Sequence, residues 1–170
     1  MNLLSRLFRS TPDPREALRP LWHRVVEISR EREWYADCGV ADTVAGRFDM
    51  ITAVLALVLL RLEREEECRP QTALLTELFV EDMDGQLRES GVGDIVVGKH
   101  IGKLMASLGG RLGAYRAAIA DETALEEALR RNVTLLEDHG PEALAKRLRE
   151  LSAELDDVPA SDILAGRIER

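Results

Sequence analysis

Apolar positions recur at three- and four-residue intervals along most of the chain, and few runs alternate apolar with polar residues as strands do. The spacing predicts a first helix from Pro14 to about Glu33. Leu18, Leu21, Trp22, Val25 and Ile28 share its stripe, and Pro14 suits its first turn. A loop from Trp34 to Val40 follows. Asp42 or Thr43 can cap a second helix that reaches about Glu66. Its middle, Met50 to Leu60, is apolar all round, the pattern of a helix buried on every side. The acidic end, Glu63 to Glu67, reads as a solvated face.

Pro70 opens a third helix, with Leu74, Leu75, Leu78, Phe79, Met83 and Leu87 inward and with Gly91 and Gly93 as its stop. A fourth starts near Ile95 and carries Val97, Ile101, Leu104, Met105, Leu108, Leu112, Tyr115 and Ile119 on one stripe. Thr123 and Glu126 have capping-box spacing for a fifth helix, which Gly140 ends. Pro141 begins a sixth with Leu144, Leu148, Leu151 and Leu155, and the tail after Pro159 has room for one more short turn. The expectation is an all-α, single compact domain of about six helices around a central apolar helix, spanning residues 14–170.

Residues 1–13 read as an arm. Leu3, Leu4, Leu7 and Phe8 share a helical face, with Arg6 and Arg9 nearby. That composition suits a disordered tail or a shallow anchor on an anionic membrane surface. The run Met50–Leu60 is about half the ~20 residues needed to span a bilayer, so a buried core helix accounts for it. The N-terminus lacks the continuous apolar stretch of a secretory signal.

Composition narrows the function. Hydrophobic residues make up 45% of the chain but aromatics only 4%, which favours an aliphatic helical core. A net charge of −8 disfavours general DNA or RNA binding. Cys38 and Cys68 lack CxxC spacing and neighbouring histidines, and read as reduced structural cysteines.

No motif satisfies the requirements of catalysis or metal binding. Gly93 to His100, GDIVVGKH, nearly matches a phosphate loop. However, His100 replaces the magnesium-binding hydroxyl, and a helix rather than a strand precedes it. Glu81, Asp82 and Asp84 read as a solvated acidic face, and Glu81 and Asp84 are neighbours on it. His23, His100 and His139 have no metal-ligand spacing. The expectation is a binding protein with no cofactor and no metal.

The fourth helix carries a distinct signal. Gly98, Gly102, Ala106, Gly109 or Gly110, Gly113 and Ala117 form a stripe of small residues. Each interior glycine costs a helix about 1 kcal/mol relative to alanine, and close approach of another helix can offset that cost. Packing within the domain is the favoured form of that approach, and a helix from another protein is the alternative. Trp34 and Tyr35, adjacent in a chain poor in aromatics, either cover the core edge or anchor an interface. Arg47, beside Phe48 and Asp49, has Asp84 and Asp94 as candidate ion-pair partners.

These segments resemble the ubiquinol–cytochrome c chaperone family, which includes the mitochondrial assembly factors of the cytochrome bc1 complex and their bacterial relatives. The resemblance begins at Trp34-Tyr35, runs through GVADTVAGRFDM (Gly39 to Met50), is strongest in DMDGQLRESGVGD (Asp82 to Asp94), and continues through Val97 and Gly98-Lys99 to GRLGAY (Gly110 to Tyr115). It departs from the family pattern at Gly85, where a polar residue is usual, and at Leu108-Gly109, where an aromatic pair is usual.

The resemblance implies a non-enzymatic helical chaperone that helps newly made cytochrome b reach the assembling complex. It also implies, for the mitochondrial members, a small partner protein near the ribosome. Arginine far outnumbers lysine, as in chains from GC-rich bacterial genomes, so the cytoplasm is the expected compartment, with peripheral contact at the inner membrane. In a eukaryote it would be the mitochondrial matrix. The candidate client surface comprises Trp34, Tyr35, Arg47, Phe48, Asp84, Arg88, Gly93, Asp94, Lys99, Gly102, Gly109 and Tyr115. The alternative is a lipid- or quinone-binding helical protein, which requires an enclosed apolar cavity.

Overall fold

The computed structural model describes residues 13–89 and 94–170, and all their regular elements are helical. A 3₁₀ turn, Pro14–Leu18, leads into α1 (Arg19–Ser29), and Asp13 caps the turn by accepting a hydrogen bond from the Arg15 backbone N at 2.9 Å. The helix expected to reach Glu33 stops at Ser29, and a separate five-residue helix, α2 (Arg32–Ala36), follows. The short α2 is what lets Trp34 turn inward. Its ring is fully buried, and its indole Nε1 donates to the Ile28 carbonyl at 2.6 Å.

The chain then turns at Gly39, whose φ of +73° lies in the left-handed region. A Cβ there would sit 2.5 Å from the His139 side chain, so glycine is required on both counts. This turn brings Val40 against Leu135 in an isolated antiparallel bridge. Thr43 caps α3 (Val44–Leu62), its hydroxyl accepting from the Gly46 backbone N at 3.1 Å.

Every side chain from Asp49 to Leu59 is buried, which makes α3 the central helix, in contact with α1, with α4 (Arg69–Glu89), with α5 (Asp94–Ala118) and with α7 (Glu142–Asp156). Pro70 lies in the first turn of α4, where its missing N–H costs nothing. The expected stop at Gly91 and Gly93 lies outside the described residues.

The later helices differ from expectation in their ends. α6 (Glu122–Asn132) is capped by Asp121, which accepts from Ala124 N at 3.0 Å, not by Thr123 and Glu126. An aspartate two positions earlier, in extended conformation, already satisfies that free amide. α6 also ends at Asn132 rather than at Gly140, because Val133 turns to extended backbone next to the Val40–Leu135 bridge. A short α8 (Ala160–Leu164) fills the place of the expected turn after Pro159, and eight α-helices therefore replace the expected six among the described residues. No described helix is long and apolar enough to cross a membrane.

Candidate functional site

The site is organised by a buried ion pair between α3 and α5. Arg111 lies on the inward stripe of α5, in step with Leu104, Leu108 and Tyr115. Its Nη2 donates to Asp49 Oδ1 at 2.5 Å and to the Asn132 carbonyl at 2.6 Å, and its Nη1 donates to the Ser107 hydroxyl. The other Asp49 oxygen accepts from the Thr134 backbone N at 2.9 Å and from its hydroxyl at 2.8 Å. The guanidinium also covers the Phe48 ring, 5.8 Å from its centroid. One aspartate thus ties α3, α5 and the stretch after α6 together. A buried pair depends on partners for its remaining polar atoms, and four further hydrogen bonds serve that purpose here, leaving Arg111 Nε as the buried atom of the pair without one.

Beside this junction an apolar cleft of about 710 Å³ opens between the start of α3, the end of α4 and the middle of α5. Ile51, Met83 and Leu104 are buried along its floor with half-buried Phe48. Phe48 is held from behind by Phe79, 6.3 Å away, which in turn takes the edge of Trp22 at 6.1 Å. Val44 stands at the rim with 89% of its surface exposed, the most exposed large apolar side chain described. Arg30, Arg47 and Gln86 supply polar margins. It is a surface groove, not the enclosed chamber that a lipid- or quinone-binding reading requires.

The glycines of α5 form a separate open face, turned away from Leu104. A Cβ built on Gly102, Gly109, Gly110 or Gly113 would meet nothing within 4 Å. The favoured expectation, that the small stripe packs inside the domain, is therefore wrong among the described residues. The buried face of α5 is the opposite one, because Leu104, Leu108, Arg111, Tyr115 and Ala118 point at α3 and α6. Ala106 and Ala117 are exposed with the glycines. The helix thus presents a nearly bare backbone to solvent.

The expected site residues divide accordingly. Arg47 and Phe48 line the cleft, whereas Gly102 and Gly109 lie on the open face of α5, nearer in helical phase to Met105 than to the cleft residue Leu104. Arg47 pairs with Asp42 at 2.6 Å rather than with Asp84, because Asp42 stands one turn back before the cap. Trp34 cannot anchor a partner: it has no accessible surface, and the guanidiniums of Arg147 and Arg170 cover it, each 5.5 Å from its centroid. Tyr35 is half-buried, its hydroxyl donating to the Ser29 carbonyl at 2.8 Å.

Tyr115 belongs to the core. Burial pushes its phenol up to about 12, against an opposing pull from Arg111. Asp84 lines a second cleft on the other flank of α5. Gly93 and the side chains of Arg88, Asp94 and Lys99 lie outside what is described. Residues 94–100 already belong to α5, so the GDIVVGKH segment is not the loop that a phosphate requires.

Sequence reading misses the Asp49–Arg111 pair and the cleft that Val44, Ile51, Met83 and Leu104 line. The signal for the pair is legible. Arg111 occupies an inward position of an otherwise apolar stripe, and Asp49 precedes an apolar run.

Comparison with known proteins gives these features a family. The ubiquinol-cytochrome C chaperone family matches residues 36–170. The crystal structure of the Cbp3 homolog from Brucella abortus is similar along nearly the whole length: the sequences are 30% identical, the TM-score is 0.79, and the match covers 98% of this chain and 95% of that one. No curated protein matches. The chain belongs to the ubiquinol-cytochrome c chaperone family.

Proposed function

We propose that this chaperone holds an apolar segment of newly made cytochrome b during assembly of the cytochrome bc1 complex, without catalysing a reaction. The observation that carries the reading is the open apolar cleft at the start of α3, and α5 adds a second open face with no side-chain cover. Larger side chains of the client can enter the cleft over Phe48, Ile51 and Leu104, and a client helix lying along the glycines can approach the α5 backbone closely. Each Leu- or Phe-sized anchor buried there contributes about 1.5–3 kcal/mol before association costs are deducted. A few anchors give a hold that is specific yet releasable, as hand-over to an assembling complex demands. Arg30 and Arg47 at the margins suit the polar or acidic ends of such a segment.

The frame is rigid where the client meets it. The Asp49–Arg111 pair fixes α5 relative to α3, so the groove is formed in advance and its shape is not spent on ordering. Contact with a membrane surface, and a partner protein that brings the chaperone to the ribosome, belong to the same reading as places where a nascent membrane protein is met.

A photo-crosslinking amino acid at Val44 tests the contact. Cytochrome b should crosslink from position 44 and not from Lys146, an exposed position on α7. Equal yields from both positions, or none from Val44, would remove the cleft from the reading.

A further inference from the structure

We propose that the N-terminal arm of the chain docks in cis along the second cleft, between α4 and α5. That cleft, about 780 Å³, lies on the opposite flank of α5 from the one assigned to the client. Its apolar lining comes from Val80, Ile101 and Met105, with Ala73 and Thr76 beside them. Met105 keeps 43% of its surface exposed, so the lining lacks a cover among the described residues.

Three observations select the arm as occupant. The first is where the chain enters. Arg15 itself lines the cleft, held there by Glu81 at 2.7 Å and by Asp13 at 2.6 Å. The residues before Asp13 therefore start at the cleft margin. Four residues lie between Phe8 and Asp13, and the five steps they span reach up to about 17 Å, which is ample to lay the arm over neighbouring turns of α4 and α5.

The second is apolar match. Leu3, Leu4, Leu7 and Phe8 fall on one helical face and need a surface such as Val80, Ile101 and Met105 provide. The third is charge. Glu77, Glu81 and Asp84 give the cleft a carboxylate border, and the arm carries Arg6 and Arg9. Arg15 and Arg19 already engage Glu81, whereas Glu77 is exposed on the outer turn of α4. Docking would shelter the Ile101–Met105 flank of α5 from solvent and leave the cleft at Leu104 open.

The test uses the full chain with a nitroxide label on Ser5→Cys; Cys38 and Cys68 are buried and stay unlabelled. Methyl resonances of Val80, Ile101 and Met105 should lose most of their intensity through paramagnetic broadening, and that of Ile163 should not. Met105→Glu, at a half-exposed position that tolerates charge, should restore the Val80 and Ile101 signals. Broadening that appears only when labelled protein is mixed with isotope-enriched protein would assign the cleft to a second copy. Broadening absent in solution, with the arm instead immobilised on anionic phospholipid vesicles, would assign the arm to a membrane surface. Either result overturns docking in cis.

Discussion

Gly46 on α3 and Gly109 on α5 are both helical glycines, a few turns from the same cleft, and they exist for opposite reasons. A Cβ on Gly46 would come within 2.0 Å of the Ala41 backbone carbonyl, and a Cβ on Gly109 would meet nothing within 4 Å. The first glycine is consumed by the fold: it lets the segment after the Gly39 turn fold back over the start of α3. The second contributes nothing to the fold and carries the usual helix penalty of about 1 kcal/mol. A cost without an internal return points outward. The α3 side of the site is a packed frame, and the α5 face is a surface kept bare.

The comparison breaks first at the frame. Asp49→Ala leaves the Arg111 guanidinium buried without its carboxylate and takes away the partner of Thr134 N. Losing one member of a buried pair costs about 3–5 kcal/mol, so the chemical-denaturation midpoint should drop sharply. A midpoint close to the parent's would mean that the pair does not hold α3 to α5.

Gly46→Ala should come next. The contact is with backbone, which no rotamer change relieves, and overpacking of this kind costs about 1–3 kcal/mol despite the better helix propensity of alanine. Gly109→Ala sharpens the contrast by reversing the sign. With space around it, the added methyl should stabilise the protein by up to about 1 kcal/mol, read as a higher Tm. If both alanines destabilise alike, the distinction between filled and bare glycines fails.

The smallest effect is chemical. Burial pushes the Cys38 thiol up to about 11, so little thiolate exists at neutral pH and alkylation should wait for unfolding. Gly109→Cys, on the bare face, should label at once. Rapid labelling of Cys38 in the native protein would show that the packed side opens.

Helix identity was legible in the sequence wherever period and punctuation agreed. The apolar run of α3, Pro70 in α4 and Pro141 before α7 all predict their elements. The misses have local physical causes. Asp121, Thr123 and Glu126 compete for one capping role, and spacing alone does not say which side chain reaches the free amide. The break after Ser29 depends on Trp34 finding a buried seat against Ile28 and beneath Arg147 and Arg170, and the last two are far from it in sequence.

The site was half legible for the same reason. Arg47, Phe48, Gly102 and Gly109 stand out by residue type. Val44, Met83 and Leu104 look like ordinary core positions until the helices are in place and leave them at a groove. The direction of the glycine stripe could not be read from α5 alone, because both faces of that helix carry residues suited to packing. The inward face is chosen by what α3 and α6 offer to Leu108, Arg111 and Tyr115.

The central claim, that the bare face of α5 receives a client, is tested most directly by Gly109→Leu assayed twice: for thermal unfolding and for co-purification of cytochrome b. The leucine projects into open space, so Tm should stay at or above the parent value while cytochrome b recovery falls to background. Full recovery of cytochrome b with an unchanged Tm would contradict the claim, since a client helix lying along these glycines has no room for that side chain.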